Sequence, residues 1–279
     1  MTPLLDESVQ SHYACPDLAK KIRAGIERSG KNVENLSVRD LGPVDQLHTG
    51  GGPATLSLME KAGLHQGAEI LDAGCGIGGS SRLIAEHFKL NVTGIDLAPD
   101  FVDTAGTLTR WCGLDRKGNI NFRQGSVLDL PCEDLFFDAV LCQHILMNIR
   151  DKATALAEFY RVLKPGGKLI LHEITDGPGP APRMPVPWAA DTSISFLTPW
   201  KEVTEIMEKT GFTPEFFSDE TGNSALWWKK VNAFTAKSPP RPLNPGIVFG
   251  DNAALFGPNM ETNFSSRSVC CIEAILIKP

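Results

Sequence analysis

Residues 70–81 read ILDAGCGIGGSS, with four glycines packed into six positions behind an aspartate and a short apolar run. A strand that ends in so bare a turn and re-enters a helix constrains the fold more than any other stretch of this chain. Glycines let the backbone approach a ligand closely, and a helix starting near Gly79 offers unpaired N–H groups at its amino end. No Lys-Ser/Thr pair follows the last glycine, so the loop is not of the triphosphate-binding kind. Gly74, Gly76 and Gly79 do satisfy the dinucleotide spacing GxGxxG. Asp96, twenty residues after Gly76, stands where a ribose-binding carboxylate is wanted. The glycines alone leave a dinucleotide and a smaller nucleoside open.

From residue 69 onward, short apolar runs alternate with helical periodicity, the pattern of a doubly wound α/β domain with a mostly parallel sheet. Strands are expected at 69–73, 91–96, 119–124, 137–142 and 167–174, with helices at 79–88, 99–113 and 151–163. In the last helix Leu156, Phe159, Tyr160 and Leu163 form one apolar stripe. Residues 1–55 read as an N-terminal cap: a helix over PDLAKKIRAGIERSG, then a loop-like, glycine- and proline-rich stretch at 39–55. Residues 56–174 form the ligand-binding core, and LKPGG (163–167) reads as a helix stop and turn within it.

Residues 175–279 complete one domain, beginning with TDGPGPAPRMPVPWAAD, too rich in proline for helix or central strand. Thr198 and Pro199 suit the N-cap and first position of a helix that stops at Gly211. Strands at 213–219 and 268–278 bring the sheet to seven, the last expected as an antiparallel edge strand. Residues 220–266 yield no assignment.

A formal charge of −6, with no cluster of Lys and Arg, argues against a nucleic-acid partner. The start MTPLLDESVQ lacks a basic and an apolar region, and nowhere do eighteen apolar residues run together, so neither export nor a membrane is expected and a cytoplasmic location is. The seven cysteines show no CxxC pair or Cys/His ligand spacing; free thiols are expected, and no metal.

Four ordered stretches break the tie over the ligand: Asp72 ahead of the glycines, VTGIDLAPDFV, RQGSVLDLPCEDLFFDAVLCQHILMNI, and YRVLKPGGKLILHEI. Together they resemble the motifs of the class I S-adenosylmethionine-dependent methyltransferases over residues 44–174. The likeness is greatest to the small-molecule branch that includes ubiquinone, tocopherol and sarcosine methyltransferases, and VDQLHTGG and LMNIRDK look like bacterial members of that branch. The resemblance implies a Rossmann-like seven-stranded fold with an N-terminal helical cap and a lid insertion, S-adenosyl-L-methionine as cofactor, and a small-molecule methyl acceptor. It places Gly74, Cys75, Gly76 and Gly78 along the methionine and ribose, Asp72 near the ammonium group, Asp96 on both ribose hydroxyls and Leu97 on the adenine. Gln143 matches a position whose backbone touches the methionine. Where the family commonly has an acidic residue against the adenine amino group this chain has Ser126, leaving that contact to Ser126 and the Val127 amide.

Methyl transfer from a sulfonium is an in-line displacement that needs alignment and exclusion of water, and a base only when the acceptor must lose a proton. His144, His48 and Glu173 are the candidate catalytic residues. Each has a structural alternative: a turn-holding histidine, a loop-closing or cofactor contact, and an anchor for a backbone amide. Asn148 is a candidate for orienting the acceptor or for capping the next helix, and Trp188 and Trp227 for an apolar lid or for plain packing. An NAD-dependent oxidoreductase is disfavoured because Asp72 and LKPGG have no role in one; a non-catalytic methyltransferase-like binding subunit is the other alternative.

Overall fold

The computed structural model describes residues 3–279, with side chains from Ser8 onward except that of Lys117. In chain order the elements are α1 (Pro3–Tyr13), α2 (Leu18–Arg28), α3 (Val38–Asp45), α4 (Gly51–Ala62), β1 (Glu69–Ala73), α5 (Gly79–Phe88), β2 (Asn91–Asp96), α6 (Pro99–Trp111), β3 (Ile120–Gln124) and β4 (Phe137–Gln143). They continue as α7 (Lys152–Val162), β5 (Leu163–Asp176), α8 (Trp200–Thr210), β6 (Thr213–Asp219), α9 (Thr221–Lys237), α10 (Gly246–Phe249), α11 (Ala253–Ser265) and β7 (Val269–Ile277).

The sheet runs β3-β2-β1-β4-β5-β7-β6. The first five strands pair in parallel. Strands β1 and β4 are apolar because helices cover both faces: Leu71, Val140 and Leu169 belong to one buried cluster, Ile70, Ala139 and Ile170 to the other. The strand order reverses between β1 and β4, and such a switch point opens a crevice beyond the carboxyl ends of the two strands. The sequence motifs meet there.

Four expectations need correction, and one unassigned stretch proves helical. The last strand is antiparallel, but it is interior: β7 pairs with β5 from Lys168↔Ile277 to Asp176↔Val269 and with β6 on its other side. The edge strand is β6, whose residues are largely exposed. Residues 39–55 are mostly helical, since Ser37 and Asp40 form a capping box for α3 and Pro53 lies in the first turn of α4, where its missing N–H costs nothing. Strand β5 begins at Leu163, directly after α7, and LKPGG is accommodated as a register jump from Phe137↔Leu163 to Ala139↔Lys168. The cap of α8 is Pro199 rather than Thr198, whose hydroxyl donates to the Phe196 carbonyl at 3.3 Å. Residues 220–266 hold α9, α10 and α11; Pro258 inside α11 hid that helix from a periodicity reading.

Candidate functional site

The turn after β1 explains its own glycines. Gly74 has φ +69°, and a Cβ there would meet Ile145 Cδ1 at 2.2 Å, so the residue lets β1 pass under the loop that follows β4. Gly76, at φ +54°, has nothing within 4 Å of an ideal Cβ and lines the cavity over the switch point. Gly78 does not line the cavity, contrary to expectation: it precedes α5 in a left-handed conformation, and a Cβ would meet Phe122 at 2.7 Å. Its role is close packing.

Asp72, Asp96 and Asp45 supply the cavity with three carboxylates. Asp96 ends β2 and accepts the amides of Gly76 at 2.8 Å and Ala98 at 2.9 Å, which fixes the glycine turn to the second strand. Asp72 accepts the Ser81 hydroxyl, and burial pushes its carboxyl up to about 6. Asp45 pairs with Arg82 at 2.8 Å, both side chains fully buried, yet Asp45 Oδ1 has no partner. The Arg82 guanidinium is turned away from the cavity, donating to the carbonyls of Ile77 and Ala105. No described residue lining the cavity is lysine or arginine. With Asp45 neutralised by Arg82, Asp72 and Asp96 set a field there that favours a cation.

At the far wall three imidazoles converge, from the loop before α4 (His48), the residue after β4 (His144) and β5 (His172), with ring centroids 4.8–6.0 Å apart. Burial leaves all three neutral, His48 lowered to about 4, His172 to about 3 and His144 well below its ordinary value. Polar contacts tie His48 and His172 into one network through Thr55 and Gln143. Thr55 Oγ1 lies 3.0 Å from His48 Nε2 and 3.2 Å from Gln143 Oε1, which also accepts Ser80 Oγ at 2.8 Å. Gln143 Nε2 is 3.0 Å from His172 Nδ1. His144 Nε2 is buried with no partner. His48, Gln143 and His144 line the cavity; His172 does not.

Glu173 does not line the cavity either. Its carboxylate accepts the Ile145 and Leu146 amides at 3.1–3.2 Å and the Cys142 thiol at 3.1 Å, so it shapes the loop that carries His144. Burial holds that carboxyl up at about 7. Asn148 faces the cavity with its polar atoms committed: Nδ2 donates to the carbonyls of Trp188 and Ile194, each at 2.9 Å, and Oδ1 accepts Tyr13 Oη at 2.9 Å. The cap of α7 is Asp151, not Asn148. Trp188 is 1% exposed, lines the cavity and donates from Nε1 to Ser195 Oγ at 3.0 Å. Trp227 lies off the cavity, edge-on to Trp228 at 4.8 Å; Trp228 bonds Thr49 Oγ1 at 3.2 Å. Cys75, Leu97, Ser126 and Val127 all line the cavity, and burial raises the Cys75 thiol.

Sequence reasoning missed Gln10, Tyr13, Asp45 and His172. Gln10 and Tyr13 close the cavity from α1, far away in the chain, and no local pattern marks them. His172 carried a signal in its position beside Glu173 on the fifth strand.

Residues 71–171 match the methyltransferase domain family. That stretch is a methyltransferase domain. That domain has relatives of several chemistries. It is 34% identical to phosphoethanolamine N-methyltransferase 1 of Zea mays over 133 residues, 48% of this chain and 26% of that protein. An O-methyltransferase of Aspergillus nomiae is 27% identical over 173 residues, 62% of this chain and 76% of that one. The fold of the whole chain is like that of geranyl diphosphate C-methyltransferase from Streptomyces coelicolor, solved with Mg2+, geranyl-S-thiolodiphosphate and S-adenosyl-L-homocysteine, at TM-score 0.71, 19% identity and coverage of 100% and 99%. The chain spans about a quarter of the length of the plant relatives it matches. Among the described residues, no helix is long and apolar enough to cross a membrane.

Proposed function

We propose that the protein transfers a methyl group from S-adenosylmethionine to a small-molecule acceptor. The observation that carries this reading is the pairing of a bare glycine turn with three carboxylates and no described lysine or arginine in the same cavity. A ligand with an ammonium and a sulfonium suits that field, whereas the anionic pyrophosphate of NAD opposes it. The unpartnered Asp45 Oδ1 and the open space at Gly76 fit such a group.

When bound, S-adenosylmethionine would supply a methyl on a positive sulfur: an acceptor lone pair attacks the methyl carbon in line, the carbon–sulfur bond breaks, and the neutral sulfide, S-adenosylhomocysteine, leaves. Asp72 and Asp45 hold the cationic methionine end, Asp96 takes the ribose hydroxyls, and Leu97 and Val127 flank the base. Tyr13, Met147 and Trp188 keep water from the reacting face. His144, neutral and with its Nε2 free, accepts a proton from an acceptor that must lose one; Glu173 positions it through the loop amides. The same lack of lysine and arginine favours an uncharged or cationic acceptor over a phosphate ester.

Calorimetric titration with S-adenosylmethionine and, separately, NAD tests the reading. Binding of the first alone is expected, with Asp96→Asn at least about tenfold weaker, since a charge-assisted bond is worth about 1.5–3 kcal/mol. Tight NAD binding without a response to S-adenosylmethionine would overturn it. Binding without turnover across a panel of amines, phenols and thiols would favour a binding subunit instead. Faster turnover of phosphoethanolamine or geranyl diphosphate than of unphosphorylated acceptors would contradict the acceptor class.

A further inference from the structure

A ring nitrogen of His144, one of His172 and the thiol of Cys271 lie within 4.8 Å of one another. The three come from different elements: the residue after β4, β5 and β7. His172 Nε2 is 3.2 Å from Cys271 Sγ, close to the separation of two donors on one tetrahedral ion. His144 Nε2 is buried and unpartnered, which an ordinary packed histidine would avoid.

We propose that His144, His172 and Cys271 form a binding site for a soft divalent transition-metal ion of the zinc type. Two imidazoles and one thiolate make a donor set that zinc accepts, and three protein donors leave a fourth position for water or another ligand. Glu220 and Glu173 add negative field at Cys271, which favours a cation there, while Glu273 is already paired with Lys61 at 2.7 Å. His144 lines the cavity and thereby provides the path of entry to a site that is otherwise enclosed.

The outer contacts suit the ion as well. Turning the Gln143 amide end for end places Oε1 on His172 Nδ1 and Nε2 on the Thr55 and Ser80 hydroxyls, with every contact kept. His172 then carries its proton on Nδ1 and offers Nε2 to the ion, as an oriented metal ligand does. His48 stands outside the set, because Thr55 and the Gly51 backbone occupy its ring nitrogens. The cysteine spacing could not foretell the site, since its ligands lie 28 and 99 residues apart. A bound ion takes the free nitrogen of His144, so metal binding and proton acceptance exclude each other in any one molecule.

The test is titration of the full chain with Co2+, followed by thiolate-to-metal charge-transfer absorption. One equivalent is expected to give the band, Zn2+ to displace it, Cys271→Ser to abolish it and Cys270→Ser to leave it. Gln143→Leu should weaken binding about 10- to 100-fold. A thermal melt checks that each variant is folded. Lack of the band in the unaltered chain overturns the proposal whatever the variants do, and so does a band that survives Cys271→Ser. The readout needs no methyl acceptor, so it stands or falls apart from the transferase reading.

Discussion

Gly74 and Gly76 share a left-handed backbone but carry different burdens. At Gly74 an added methyl collides with Ile145; at Gly76 it enters open space on a residue that lines the cavity. Gly74→Ala is therefore expected to lower Tm by more than the ~1–2 kcal/mol of left-handed strain accounts for. Gly76→Ala should incur only that strain, while losing at least about tenfold in S-adenosylhomocysteine affinity. Thermal melts and calorimetry on both variants separate the two effects. Unchanged affinity in folded Gly76→Ala would mean that this backbone does not face the cofactor. Asp72 and Asp96 were legible in the sequence because the turn and the second strand are local features. Asp45 was not, for its place at the cavity depends on α3 packing against α5.

At the scale of elements, α1 is the strap of the site. Its last residue, Tyr13, donates to Asn148 across 135 residues of chain, and Gln10 and His12 reach the Leu97 and Pro187 carbonyls at 3.4 Å. Asn148 in turn holds the proline-rich segment, so one amide joins α1, the loop after β4 and that segment. Tyr13→Phe removes a bond worth about 0.5–1.5 kcal/mol, so the cofactor product should leave about two- to tenfold faster, as stopped-flow release would read. An unchanged rate would rule out the strap. Strand β7 teaches a different lesson. Its near-continuous apolar run, VCCIEAILI, is that of a strand covered on both faces, yet its place at the end of the chain invited the edge assignment. Burial, not chain order, decides which strand is central.

Over the whole molecule, buried ionisable groups set opposing pH dependences. The neutral imidazoles of His48, His144 and His172 take up protons only on unfolding, so the stability they allow is lost as pH falls below 6.5. Asp72 and Glu173, raised to about 6 and about 7, work the other way: their contribution is full below their unfolded values of 3.8 and 4.5 and is lost as pH rises through the raised ones. Burial also raises the carboxyls of Asp45 and Asp96, so imidazoles and carboxyls oppose each other between about pH 4.5 and 6.5. His172→Gln removes one buried imidazole, so the Tm of the unaltered chain is expected to gain on that of the variant as pH rises from about 4.5 to 6.5; a Tm difference that does not change with pH would contradict the burial of the cluster. The sequence by itself determined the doubly wound class, the glycine turn, the carboxylate of Asp96 at the end of the second strand and the first five strands, because hydrophobic period and turn chemistry act between near neighbours. Only the tertiary structure decided that β7 enters the sheet, that α1 and the proline-rich segment meet at Asn148, and that His144, His172 and Cys271 converge. Those contacts join residues tens to hundreds of positions apart, and packing alone brings them together.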